Sequence, residues 1–190
     1  MKRDEIKDIT GVILAGGQGQ RMGGKDKGLV NYRGVPLYQH VATCLKPQVG
    51  ILKISANRNL TRYADSGMPV ITDSLPDFQG PLAGMLSALQ QADTSWCLFA
   101  ACDTPLLPSD LVERLWQAKE ERQIVWARSA GRDHPVIALV HSSLAAPLKA
   151  YLESGERRVL AFFQKHSGHA IDFIEDEAFA NFNTLQDLER

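Results

Sequence analysis

The run Ile9 to Ala15 (ITGVILA) is β-branched, too short for a helix and closed by Gly16-Gly17, so it predicts a buried first strand that opens directly into a loop. Short apolar runs then alternate with helical stripes along the whole chain. Leu37, Val41, Cys44 and Leu45 share the face of a helix that Pro36 begins and Pro47 stops. Ile51 and Ile54 mark a second strand and Val70 to Thr72 a third, while Leu82, Met85, Leu86 and Leu89 form a further amphipathic stripe. Trp96 to Ala101 (WCLFAA) is apolar on both faces, as a strand covered by helices on each side must be, and it closes at Cys102-Asp103-Thr104-Pro105. Asp110 and Glu113 predict the cap of another helix. Ile124 to Ala127 and Val136 to Val140 predict strands, Leu144, Leu148 and Leu152 a helix between Ser142 and Glu153, and Thr184 with Asp187 the cap of a short terminal helix. The expected fold is α/β, one domain over residues 1–190, with a Rossmann-like open, mostly parallel sheet and helices on both faces.

Composition narrows the partners. A formal charge of -1 over 190 residues gives no global attraction to nucleic acid or to an anionic membrane, so any anion site is local. No apolar run reaches the roughly 18 residues of a membrane helix, and the start MKRDEIKDIT is too polar for a signal peptide, so the expectation is a cytoplasmic protein with neither nucleic acid nor membrane as partner. Cys44, Cys97 and Cys102 lack CxxC spacing and are expected to be buried reduced thiols. His166 and His169 lack the acidic partner of a zinc motif and read as a surface pair.

The segment Leu14 to Lys27 packs five glycines and three cations into one strand-to-helix connection. Without Cβ atoms the backbone approaches an anion closely, its NH groups can point at phosphate oxygens, and Arg21 and Lys27 can neutralise charge. Two phosphate-binding patterns fail on a named residue. Met22 occupies the third glycine of GxGxxG, and Asp26 stands where a Walker loop needs Ser or Thr. Ligands of open α/β sheets bind at the carboxyl ends of strands, where both Gly16-Gly17 and Asp103 fall.

The string LAGGQGQRMGGKDKG resembles the LAGGxxxRMGxxK signature of the nucleotidyltransferase superfamily, in the version found in molybdenum cofactor guanylyltransferases. The likeness continues in Asp73, GPLAGM (Gly80 to Met85), CDTP (Cys102 to Pro105), RDHP (Arg132 to Pro135), GERRV (Gly155 to Val159) and NFNT (Asn181 to Thr184), nearly the whole chain. It departs at Ser55, where an Asn is expected, with Asn57 close by.

That resemblance implies a nucleotide-diphospho-sugar transferase-like fold and transfer of GMP from GTP to the terminal phosphate of molybdenum-bearing molybdopterin, with release of pyrophosphate. It implies a GTP site of Leu14, Ala15, Gly16, Gly17, Lys27, Ser55, Asp73, Gly80, Pro81 and Asp103, in the N-terminal part of the chain. Arg21, Lys27 and Asp103 would act in catalysis, with Asp103 holding Mg²⁺. Arg157, Arg158, Asn181 and Asn183 would bind the molybdopterin. Bland readings stand beside these: Asp103 as a turn residue before Thr-Pro, Arg157-Arg158 as an exposed helix start, the asparagines as loop and cap residues. The implied partners are the two substrates, molybdenum-insertion proteins and apo-molybdoenzymes or their chaperones. The alternatives are a molybdenum cofactor cytidylyltransferase, a sugar-nucleotide pyrophosphorylase, or a noncatalytic GTP-sensing or cofactor-carrier module.

Overall fold

The computed structural model describes residues 1–16, 26–74, 80–184 and 186–189. In chain order its elements begin with α1 (Arg3–Lys7), β1 (Ile9–Leu14), the pair β2 (Asn31–Tyr32) and β3 (Val35–Pro36), α2 (Leu37–Leu45) and β4 (Ile51–Ser55). Next come α3 (Leu60–Ala64), β5 (Val70–Ile71), α4 (Pro81–Gln90), β6 (Trp96–Ala101) and α5 (Leu111–Ala118). The chain continues through β7 (Ile124–Ser129), β8 (Arg132–His141), α6 (Ala145–Glu153), α7 (Val159–Lys165) and β9 (His169–Phe173).

One seven-stranded sheet runs in the order β5-β4-β1-β6-β8-β7-β9. Only β8 opposes its neighbours; the other pairings, β5 with β4, β4 with β1, β1 with β6 and β7 with β9, are parallel. The apolar runs explain this burial. Val12 faces one layer and Ile13 the other, because successive side chains of a strand point to opposite sides. One layer packs Val41 and Leu45 of α2, Tyr63 of α3 and Leu111 and Leu115 of α5 against the sheet. The opposite layer uses Leu82 and Leu86 of α4, Leu148 and Leu152 of α6, and Phe162 and Phe163 of α7. None of the described helices is long and apolar enough to cross a membrane.

Several local expectations are corrected. Asp110 is the N-cap residue of α5 but its side chain makes no capping bond, and the Glu113 carboxylate instead pairs with the Met1 ammonium. The terminal helix is a 3-10 turn over Gln186–Glu189, held by the foreseen pair: Thr184 N donates to Asp187 at 2.9 Å and Asp187 N donates back to Thr184 Oγ1 at 3.3 Å. His166 and His169 are not a surface pair. Both are half-buried where α7 turns into β9, and the Nδ1 of His169 is buried with no hydrogen-bond partner among the described residues. The cysteines are free, with Cys97 and Cys102 buried and Cys44 half-buried; burial pushes the Cys97 thiol up to about 12.

Candidate functional site

The carboxyl ends of β4, β1 and β6 are laced together. Ala15 N donates to the Ser55 carbonyl at 2.8 Å, and Cys102 N donates to the Leu14 carbonyl at 3.1 Å. Beside this edge, Asn57 and Asp73 exchange two hydrogen bonds, Asn57 Nδ2 to Asp73 Oδ2 at 2.8 Å and Asp73 N to Asn57 Oδ1 at 2.9 Å. Partial burial raises the Asp73 carboxyl above its ordinary range, and the Asn57 bond works against that rise. Gly80 and Pro81 open α4 at the same end of the sheet, since α4 descends from the end of β5 to the start of β6. Ser55 itself is only 2% exposed and lies under α4, where a Cβ on Gly84 would come within 2.6 Å of its hydroxyl. Its side chain therefore packs beneath the strand ends, and Asn57 is the exposed polar side chain nearby.

Asp103 follows β6 and is 6% exposed. Its backbone carbonyl accepts from Phe182 N at 2.8 Å, so the 181–184 segment is laid directly across the end of β6. Its carboxylate lies 3.3 Å from Lys27 Nζ, and the same ammonium donates to Asn183 Oδ1. Asp187 in turn accepts from Asn183 N at 3.0 Å and fixes that loop. Lys27, Asp103 and Asn183 thus converge from three distant parts of the chain. Asn181 is exposed on the same segment.

Asp103 and Asn183 are the residues of this cluster that could hold a hard cation. Asp103 and Asn183 offer a carboxylate and an amide oxygen, and one positive charge already sits between them as the Lys27 ammonium. No group of three or more His, Cys, Asp or Glu residues able to hold a metal occurs among the described residues. A sparse oxygen set fits Mg²⁺, which uses one or two carboxylates and completes its shell with water and substrate phosphate.

Arg157 and Arg158 lie in the α6–α7 link. Because β8 runs against β6, α6 climbs back toward the carboxyl ends of the parallel strands, and this link turns at the same end of the sheet as Asp103. The two arginines differ there. Arg157 donates to the carbonyls of Leu152 and Glu156, each at 2.7 Å, and so closes the last turn of α6. Arg158 is exposed, as Arg157 is, and its own carbonyl accepts from the Tyr151 hydroxyl at 3.1 Å. Gly17 and Arg21 lie outside the described residues.

Sequence reasoning passed over Asp26, Asn59 and Tyr63. Asp26 accepts hydrogen bonds from both of the others, but its partners are 33 and 37 positions away and leave no local signal. A concavity of about 520 Å³ between α1 and α5, bordered by Lys2, Glu5, Trp116 and Lys119, lies at the far end of the sheet from all of these groups.

Residues 11–170 match the family model of the MobA-like NTP transferase domain. A molybdenum cofactor guanylyltransferase of Serratia proteamaculans is 49% identical over 185 residues, covering 97% of this chain and 94% of its relative. One from Pasteurella multocida is 48% identical over 184 residues, covering 95% and 97%. Among solved structures, molybdopterin-guanine dinucleotide biosynthesis protein A of Archaeoglobus fulgidus superposes with a TM-score of 0.78 at 24% identity over 95% of each chain. The 4-diphosphocytidyl-2C-methyl-D-erythritol synthase of Anaerococcus prevotii reaches a TM-score of 0.76 at 11% identity, covering 99% and 96%, and shares the fold.

Proposed function

The chain belongs to the MobA-like NTP transferase family, and from that premise we propose that it transfers GMP from GTP to the terminal phosphate of molybdenum-bearing molybdopterin. An oxygen of the acceptor phosphate forms a bond to the α-phosphorus of GTP, the bond between the α-phosphorus and the bridging oxygen breaks, and pyrophosphate leaves. The acceptor brings its own nucleophile, so the protein supplies position and charge.

The observation that carries the reading is the meeting of Lys27, Asp103 and Asn183 at the strand ends beside Leu14 and Ala15. In this reading Lys27 turns its ammonium to the triphosphate, with Arg21 as the planar second cation. Asp103, with Asn183 beside it, holds Mg²⁺, which when bound neutralises charge on the phosphate oxygens. Leu14, Ala15 and Gly16 line the nucleotide with Gly80 and Pro81 opposite, so that backbone groups read the guanine edge. Asn57, anchored by Asp73, is the exposed polar side chain beside buried Ser55 and takes the polar contact to the nucleotide. The exposed side chains of Arg158 and Asn181 serve the anionic acceptor, and Arg157 shapes the link that presents Arg158.

Incubation of the protein with Mg²⁺, molybdenum-loaded molybdopterin and each nucleoside triphosphate in turn tests this, with product mass and pyrophosphate as readouts. The guanine dinucleotide is expected, and GTP is expected to raise the melting temperature more than CTP at equal concentration. A cytidine product, or stronger stabilisation by CTP, overturns the assignment.

A further inference from the structure

Asp26, immediately before Lys27, is a carboxylate turned inward, only 8% exposed. Its Oδ1 accepts from the Tyr63 hydroxyl at 2.6 Å and from Gly28 N at 3.2 Å, and its Oδ2 accepts from Asn59 Nδ2 at 2.9 Å. These donors are neutral. They stabilise the charge without cancelling it, and they occupy both oxygens that would otherwise attract the adjacent ammonium.

Each donor is itself fixed. Tyr63 is fully buried, its ring set edge-on to Tyr38 at 5.1 Å. Asn59 stands at the N-terminal boundary of α3 with φ +52°, a backbone conformation that Asn tolerates better than most side chains. Gly28 closes the arrangement from above, since a Cβ there would come within 2.4 Å of the Tyr63 hydroxyl. Asp26 caps the 3-10 turn Lys27–Leu29, and from that turn the Lys27 side chain leaves toward Asp103 and Asn183.

A lysine side chain is flexible and loses several rotamers when its ammonium is held in one place. Two carboxylates flank Lys27, Asp26 as its chain neighbour and Asp103 across the site, and its ammonium contacts the second. We propose that Tyr63 and Asn59 are positioning residues: by saturating Asp26 they clamp the Lys27 turn and direct the Lys27 charge to Asp103, where the triphosphate is handled. This assignment rests on the guanylyl-transfer reading for its catalytic meaning, but the clamp is measurable without it.

The test uses Tyr63→Phe, which deletes only the hydroxyl, and Asn59→Gly, which deletes the other donor while accommodating the positive φ. Lysine acetylation by an amine-reactive ester is followed residue by residue by peptide mass spectrometry, and pyrophosphate release is followed in parallel. In each variant Lys27 is expected to be acetylated roughly fivefold faster while Lys53 and Lys149 keep their rates, the mark of a local release. Turnover per GTP is expected to fall about tenfold, yet to change less than about twofold when the same substitution is made on a Lys27→Met background, because the loss acts through Lys27. Unchanged Lys27 labelling in both variants, or an equal rise at every lysine, overturns the clamp. Faster Lys27 labelling in a protein whose wild type forms no guanine dinucleotide retains the clamp and rejects the functional reading.

Discussion

Asp103→Asn keeps the shape of a side chain that is 6% exposed and removes the charge facing Lys27. On the proposed reading GTP binding rests mainly on other groups and is expected to weaken only a few-fold, whereas transfer is expected to fall on the order of 100-fold or more because the charge would act chiefly in the transition state. Titration of GTP and pyrophosphate release under saturating substrates, on one preparation with its unliganded melting temperature checked, separate the two. Normal turnover would overturn the metal-binding role proposed for Asp103. Lys27 and Asp103 were legible as candidates because each sits beside a local signal, a glycine-rich loop and the end of an apolar strand. What the sequence did not reveal is their pairing, since the ion pair spans 76 positions. The burial of Ser55 was equally hidden, as it depends on how closely α4 approaches at Gly84.

The α6–α7 link splits the arginine pair into two jobs. Arg157→Ala removes a charged donor from the Leu152 carbonyl in the last turn of α6 and from the Glu156 carbonyl in the link; because the side chain is exposed, the loss is expected to fall below the about 1.5–3 kcal/mol of a charged hydrogen bond. In a chain of this size each kcal/mol lowers the melting temperature by about 2–4 °C. Arg158→Ala is expected to leave the melting temperature within about 2 °C, because surface substitutions cost little, and to raise the KM for molybdopterin about tenfold through loss of a charge-assisted contact. Equal melting losses in both variants would sink the distinction. Among elements, β1, β4, β5, β6 and α4 were readable because interior parallel strands and the helices covering them carry continuous or periodic apolar residues. The elements missed are mostly short or lie at an edge, with α7, which buries Phe162 and Phe163, as the exception. α3 has five residues, β2 and β3 two each, and β9 is an edge strand whose exposed Asp172 pairs with Arg128 instead of entering the core.

For the whole molecule, burial lowers the pKa of His134, His166 and His169 below their ordinary 6.5. The unfolded chain then binds more protons than the folded one as soon as the pH drops toward 6.5, so stability present above that value is lost as the pH falls through the lower folded values. Calorimetry is expected to show a melting temperature that declines from about pH 7.5 to about pH 5.5, with a shallower slope in His134→Gln. Asp73, whose carboxyl is raised by burial, acts in the opposite sense and adds stability as the pH falls through its raised folded value. A flat profile would contradict the histidine account.

The hydrogen bond from Lys27 to Asn183 joins residues 156 positions apart. Translation proceeds from the first of these toward the second, so a nascent chain can pair β1 with β4 and β6 long before Asn183 leaves the ribosome. The charge cluster is therefore assembled last, after the sheet that supports it. Loss of Asn183 would therefore leave Lys27 and Asp103 without their third partner, while the strand pairing beneath them involves none of the residues around it.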